Sequence, residues 1–290
     1  MPTVLVAGAT GYLGRYLVAE LKQRGHTVRA IARNRARAER EGAWGSPALA
    51  GLVDEWAIGQ VTDTEFTADV ARGAQHIISA LGVTRQKADP WEIDNLGNLH
   101  VLNSALAHGA GSFTYVNVLG GAENPARLTR AKTTFAQTLQ AAPIRSRVIN
   151  PSGYFSDMME ILGLARRGVV PVFHPDGKIT PIHGADLAEF CVDRLEEATA
   201  GTWDVGGPDT YTWRELAQTA FAALGKRPRV PTVPPAVVTP LLRVLGLFTP
   251  RLADTARFAM WGMLHEYDAP AFGTHHLAGF YAEQVRRTAR

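Results

Sequence analysis

The sequence predicts an α/β chain built on a doubly wound parallel sheet, with a smaller, mainly helical C-terminal lobe. Three observations carry this prediction. A short apolar strand runs straight into a glycine turn and a helix. Runs rich in β-branched residues then alternate with helical patterns of ~10–15 residues. After Pro151 that rhythm changes.

Each element has its own reason. Residues 3–7, Thr-Val-Leu-Val-Ala, are apolar without alternation, the pattern of a strand buried on both faces. Glycines follow at once, and residues 12–24 read as a helix. Its Leu13, Leu17 and Leu21 fall four apart, and Gly25 suits the left-handed position past its end. A second strand over 26–32 completes a βαβ unit. The alternation continues with a weak strand at 51–58, a short helix at 63–72, a strand at 75–81 and a helix at 91–108. A strand at 112–118, a helix at 126–141 and a strand at 144–150 follow. Such an order predicts parallel pairing with right-handed crossovers. Beyond Pro151 come a helix at 153–167, short strands at 169–173 and 178–183, and an amphipathic helix at 185–197. Further helices, punctuated by a proline-rich stretch at 228–240, complete the chain.

Composition bounds the class. The chain has 290 residues, 46% of them apolar and 20% charged, with a formal net charge of +3. A compact chain of this length buries about three-quarters of its unfolded surface, so no disulfide or metal staple is required. One cysteine, Cys191, excludes a disulfide scaffold and suits a reducing compartment. No cationic leader precedes the first strand, and no run approaches ~18 uninterrupted apolar residues. The expectation is a cytoplasmic protein without a membrane span. Arg29, Arg33, Arg35 and Arg37 concentrate positive charge locally, which points to an anion site more than to a nucleic-acid surface.

The sharpest signal is Gly8-Ala9-Thr10-Gly11-Tyr12-Leu13-Gly14, set between the first strand and the first helix. Gly8 allows the tight turn, Gly11 lets the backbone approach a pyrophosphate, and Gly14 permits close packing of helix on strand. Free N–H groups and the positive end of the helix then face the phosphates. This is the arrangement of a dinucleotide site, and Thr10, Tyr12 and Leu13 belong to it. The end of the second strand chooses between NAD and NADP. Residues 27–38 contain no acid and four arginines. Guanidinium donors suit a doubly charged 2′-phosphate, whereas a carboxylate would repel it. Arg33 at the strand end is the leading candidate, with Asn34 and Arg37 as helpers, and NADP(H) is favoured over NAD(H).

With these residues in view, the chain resembles the short-chain dehydrogenase/reductase superfamily, and within it the atypical, NmrA-like and extended-type group. The resemblance rests on the glycine turn, on Ile77-Ile78-Ser79-Ala80-Leu81-Gly82 and on Asp94-Asn95-Leu96-Gly97-Asn98. Asn150-Pro151-Ser152-Gly153-Tyr154-Phe155, Pro181-Ile182-His183-Gly184-Ala185-Asp186-Leu187-Ala188, and Trp203 to Pro208 before Tyr211 to Leu216 extend it over nearly the whole chain. It implies a Rossmann domain over residues 1–155 with a return segment near 178–205. A substrate-binding lobe would then take 156–177 and 206–290. It also implies that Ala80, Leu81 and Gly82 lie along the adenosine and pyrophosphate, that Pro151, Ser152, Gly153 and Phe155 lie beside the nicotinamide, and that Lys132 holds the nicotinamide ribose.

Three positions depart from the family pattern. The tyrosine four residues before the lysine is Leu128, the serine ending the fifth strand is Asn117, and the acid after the third strand is Gln60. In the standard reaction the tyrosine hydroxyl transfers the proton while the lysine ammonium lowers its pKa. Leucine does neither. Asn117 is still able to polarise a carbonyl oxygen, and members resembling isoflavone reductase also lack the tyrosine and rely on the lysine. Tyr154 is the candidate replacement acid. The catalytic set implied is therefore Lys132, Asn117 and Tyr154.

Other constellations carry less. His275 and His276 are neighbours, not an i, i+4 ligand pair, and no metal site is expected. Cys191 shares a helical stripe with Leu187 and Leu195, as a buried thiol does. The apolar stretches 233–248 and 258–264 suggest helix packing, an apolar substrate pocket, a homodimer surface or a membrane contact. The expected function is an NADP(H)-dependent oxidoreductase acting on a carbonyl, enone or imine of a small, largely apolar molecule. Leu128 keeps two alternatives open: an NADP(H)-binding regulator or assembly factor without catalysis, and an isomerase or cyclase on the same fold.

Overall fold

The computed structural model describes residues 2–83, 88–240 and 249–289. Its strands are β1 (Thr3–Ala7), β2 (Thr27–Ala32), β3 (Glu55–Ile58), β4 (His76–Ser79), β5 (Ser112–Val116), β6 (Arg145–Pro151), β7 (Lys178–Ile179), β8 (Gly201–Val205) and β9 (Tyr211–Thr212). Its helices are α1 (Tyr12–Gln23), α2 (Arg35–Ala38), α3 (Thr64–Ala68), α4 (Asn98–Ala107), α5 (Arg127–Ala141), α6 (Phe155–Arg167), α7 (Gly184–Glu196), α8 (Trp213–Ala223), α9 (Pro250–Leu264) and α10 (Leu277–Thr288). Two compact units emerge, and the chain passes between them repeatedly. Residues 1–121, 127–150 and 184–203 form the first, and 122–126, 151–183 and 204–290 the second.

The first unit carries the Rossmann-like sheet, seven strands in the order β3-β2-β1-β4-β5-β6-β8. Every pairing from β3 across to β6 is parallel, with Leu5 opposite both Arg29 and Ile77. Strand order reverses between β1 and β4, and in open α/β sheets the ligand crevice lies at the carboxyl ends there. α1 buries the stripe Leu13, Leu17 and Leu21. It ends as its sequence demands: Gly25 has φ +82°, and the amides of Gly25 and His26 donate to Lys22 and Leu21. One face of the sheet packs Phe113 and Tyr115 against Phe135 of α5, with ring centroids 5.7 and 4.7 Å apart. Each such buried aliphatic or aromatic side chain contributes roughly 1.5–3 kcal/mol.

The second unit is smaller in sheet and richer in helix. β7 and β9 pair antiparallel, and α6 packs with α8 and α10. The wholly buried Tyr281 of α10 donates its hydroxyl to the Met158 carbonyl of α6 at 2.7 Å. α8 opens on a capping box, in which Thr212 Oγ1 accepts from the Glu215 amide while the Glu215 carboxylate accepts from the Thr212 amide.

Several expected elements are shorter or different. Residues 169–173 form no strand, and Val172 makes only an isolated bridge with Thr232. The Val170 and Val172 amides donate to the Arg229 and Pro231 carbonyls, but Pro231 has no N–H to donate back to Val170, so the ladder does not extend. The expected strand at 178–183 stops at Ile179, two residues before Pro181. The expected helix at 91–108 is broken in two, a π-helical turn over Trp91–Gly97 running into α4. Part of the apolar stretch 233–248 lies outside the described residues.

Candidate functional site

The glycine turn shows why each glycine is there. Gly8 has φ +78°, and a Cβ on it would sit 2.6 Å from the Ala80 carbonyl oxygen at the end of β4. A Cβ on Gly14 would run into the Gly8 carbonyl. Gly11 is the N-cap of α1 and offers no side-chain cap, so the first amides of the helix remain for a ligand. This is a cradle that side chains would fill and that fits a pyrophosphate.

A cleft opens directly over it. Gly8, Thr10, Gly11, Arg33, Ala80, Leu81 and Gly82 line it together, along with Gln60 and Ile93. Arg33 is exposed at the carboxyl end of β2. Asn34 caps α2, accepting the Arg37 amide on its side-chain oxygen at 2.9 Å. Arg37 is exposed in the same short helix. Tyr12 and Leu13 turn away: Leu13 is buried, and the Tyr12 hydroxyl accepts the Gly184 amide at 3.3 Å. The Gly184 motif is thereby explained, since a Cβ there would sit 2.5 Å from the Tyr16 ring.

Lys132 projects from α5 toward the same loop. Its Nζ lies 3.0 Å from Asp94 Oδ1, 3.2 Å from the Leu81 carbonyl and 3.4 Å from the Val116 carbonyl. The ammonium thus faces one carboxylate oxygen, as an ion pair, and two main-chain carbonyls, as hydrogen bonds. Asp94 is fully buried, and its other oxygen accepts the Val83 amide at 3.0 Å. Burial pushes the Asp94 carboxyl upward, and the Lys132 charge opposes that shift. The ammonium also lies 5.3 Å from the ring centre of Tyr115, whose own hydroxyl burial pushes well above its ordinary value. Beneath the loop, Ser79 Oγ donates to Asn98 Oδ1 at 2.5 Å and accepts the Leu81 amide at 3.3 Å.

The other expected residues have these places. Leu128 stands on α5 one turn before Lys132. Asn117 donates its side-chain amide to Asn150 Oδ1 at 3.0 Å, and its own side-chain oxygen is buried without a hydrogen bond among the described residues. Residues 151–155 belong to the second unit. There the Ser152 hydroxyl is engaged by the Thr180 carbonyl, and Gly153 accepts the Ile182 amide at 2.8 Å. Tyr154 is the half-buried N-cap of α6 and bridges Ile182. Phe155 is buried against His183 and Phe280. His275 stacks on His183 at 4.3 Å, while its neighbour His276 pairs with Asp209 at 2.9 Å.

Two residues of this neighbourhood escaped the sequence reading. Asp94 was legible only as part of a motif, and nothing in that motif pairs it with Lys132. Arg15 looks like an ordinary helix-surface arginine, yet it is 4% exposed.

A family described as NAD(P)H-binding matches residues 8–198. The chain belongs to this NAD(P)H-binding family. Within the family's atypical short-chain group, it is 30% identical to the chloroplastic divinyl chlorophyllide a 8-vinyl-reductase of Zea mays, over 98% of this chain and 79% of that one. It is 26% identical to the photosystem II assembly factor Ycf39 of Synechocystis, over 89% of this chain and 75% of that one. An NADPH-dependent quinone oxidoreductase of Escherichia coli, solved with NADPH, shares the fold with a TM-score of 0.74 and 21% identity, covering 99% of this chain and 100% of that one. Among the described residues, no helix of this NAD(P)H-binding protein is long and apolar enough to cross a membrane.

Proposed function

We propose that the protein is an NADP(H)-dependent reductase of a small, largely apolar molecule bearing a carbonyl, enone or imine. The observation that carries this reading is the placement of Arg33, which lines the cleft over the glycine turn in a segment that offers no acid. The vinyl reductase relative supports an apolar, conjugated substrate.

When bound, the dinucleotide supplies a hydride. The turn residues Gly8, Thr10 and Gly11, with the amides that open α1, would hold its pyrophosphate, and Ala80, Leu81 and Gly82 would flank it. Arg33, helped by Arg37, would take the 2′-phosphate. Lys132 would hold a ribose hydroxyl, its 3.4 Å hydrogen bond to the Val116 carbonyl being the weaker of its two. Asn117 has a second amide hydrogen beyond the one donated to Asn150, and it polarises the substrate oxygen. The proton comes from the Tyr154 hydroxyl or from water, because Leu128 has none to give. The second unit supplies the substrate lobe, and the lone buried Cys191 suits a reducing, cytoplasmic setting.

A second reading draws on Leu128 and on the Ycf39 relative: a protein that binds NADP(H) and has surrendered catalysis. Single-turnover loss of NADPH absorbance, with a panel of apolar enones, quinones and carbonyls, separates the two. Consumption of NADPH with a reduced product supports the reductase. Tight cofactor binding with no consumption across the panel supports the second reading. Absence of binding to either dinucleotide ends both.

A further inference from the structure

The buried Arg15 sits directly after the last glycine of the turn and reaches across to the segment that follows β2. Its Nε donates to the Thr10 carbonyl at 3.1 Å, inside the turn itself. One terminal nitrogen donates to the carbonyls of Ala38, Arg40 and Pro47 at 3.0, 2.7 and 2.7 Å, and the other reaches the Arg37 carbonyl at 3.5 Å. Every one of these acceptors is main chain, and among the described residues no carboxylate pairs with this guanidinium. Burial and the nearby Arg37 charge both lower its pKa. A guanidinium without a counter-ion is costly to bury unless each N–H is satisfied, so the carbonyls are held where the fork directs them.

The segment is shaped to accept it. A Cβ on Gly42 would sit 2.5 Å from Arg15 Cδ and Nε, although Gly42 itself has an unstrained φ of −87°. The Gly42 amide donates to the Ser46 carbonyl at 2.9 Å, and the Leu49 amide to the Ala38 carbonyl at 3.3 Å, closing the loop around the arginine.

We propose that Arg15 is a positioning residue for dinucleotide choice: it ties the phosphate turn to the arginine-bearing stretch 33–40 and so holds Arg33 and Arg37 ready for a 2′-phosphate it never touches. The inference rests on the NADP(H) reading above. It places the determinant of choice in α1, directly after the last glycine, as well as at the end of β2. Arg15's own positive charge, fixed behind the stretch and without a counter-ion, adds to the attraction for a dianion.

The test measures affinities for NADPH and NADH by calorimetry in the wild type, R15M, R33A, G42V and the double variant R15M/R33A, with circular dichroism confirming fold. The expected result is a wild-type preference for NADPH that falls at least tenfold in R15M and in G42V, with NADH affinity changed less than threefold. In the R15M background, R33A then changes NADPH affinity less than it does alone. Equal loss of both dinucleotides in R15M would mean a merely structural role and overturns the proposal, as does an unchanged ratio. A wild type without NADPH preference overturns the NADP(H) reading and this inference with it. Trypsin provides the measurement that needs no variant to fold. Wild-type protein without dinucleotide should resist cleavage after Arg35, Arg37 and Arg40, and rapid cutting there overturns the proposal.

Discussion

The Lys132 ammonium and the Asp94 carboxylate stand 3.0 Å apart, the carboxylate fully buried and the lysine side chain 12% exposed. Removing one partner of such a pair leaves an uncompensated charge, at a cost of about 3–5 kcal/mol. Asp94→Ala should therefore lower the unfolding free energy by about 3 kcal/mol, read from urea denaturation. Asp94→Asn, which keeps the shape, should cost less. A loss in Asp94→Ala below about 1 kcal/mol would mean the pair is effectively solvated.

Arg33 predicts a dinucleotide preference directly. Losing its charge-assisted bonds to a phosphate costs about 1.5–3 kcal/mol, on the order of a tenfold or greater drop in NADPH affinity in Arg33→Ala. Arg33→Glu should drop it further by repulsion while sparing NADH. Calorimetric titration with both dinucleotides checks it, and parallel losses would point away from the 2′-phosphate.

Tyr154 predicts a rate effect without a binding effect. General acid catalysis is worth roughly 10²–10⁴-fold, so Tyr154→Phe should slow single-turnover reduction by at least about 100-fold and leave NADPH affinity unchanged. A rate within a few-fold of wild type would transfer the proton role to water.

Gly8→Ala combines two penalties, a positive φ and a Cβ 2.6 Å from the Ala80 carbonyl oxygen. Backbone strain of this kind costs about 1–3 kcal/mol. Thermal unfolding should show the loss, and dinucleotide affinity should fall with it because the turn must widen.

Acid stability has a defined sign. The Lys22 ammonium, 2.6 Å away, holds the Asp54 carboxyl below its usual range, with help from the Val28 amide. Burial pushes Glu196 up, but hydrogen bonds from His26 and Arg24 outweigh it, so this carboxyl too is lowered. A carboxylate lowered on folding adds stability above its unfolded value and loses it as pH falls through the folded one. Stability should thus decline as pH drops below the ordinary carboxylate range near 4, and D54N/E196Q should flatten that decline. Urea midpoints across this acid range are the measurement, and an unaltered slope would assign the decline to other groups.

The strand, glycine turn and first helix were legible because every cause is local: apolar run, φ requirement and stripe all fall within residues 3–25. Parallel pairing followed from alternation alone. What stayed hidden is long-range or irregular. Asp94 and Lys132 lie on different helices, and the π-helical turn that carries Asp94 leaves no periodic trace in Trp91–Gly97. Arg15 finds four of its five acceptors more than twenty residues downstream, on carbonyls that no side-chain pattern reveals. The strands expected at 169–173 and 178–183 failed where prolines removed ladder donors. Leu128 was readable as a departure, but its consequence depends on where the proton comes from, and sequence does not specify that.

Gly184 tucks α7 against Tyr12 and Tyr16 of α1, although about 170 residues separate them. The nucleotide-holding half is consequently not modular in the genetic sense: no single cut liberates it. A gene fragment ending near residue 155 would strip α7 from α1. Exchange of this half between relatives must carry both stretches at once.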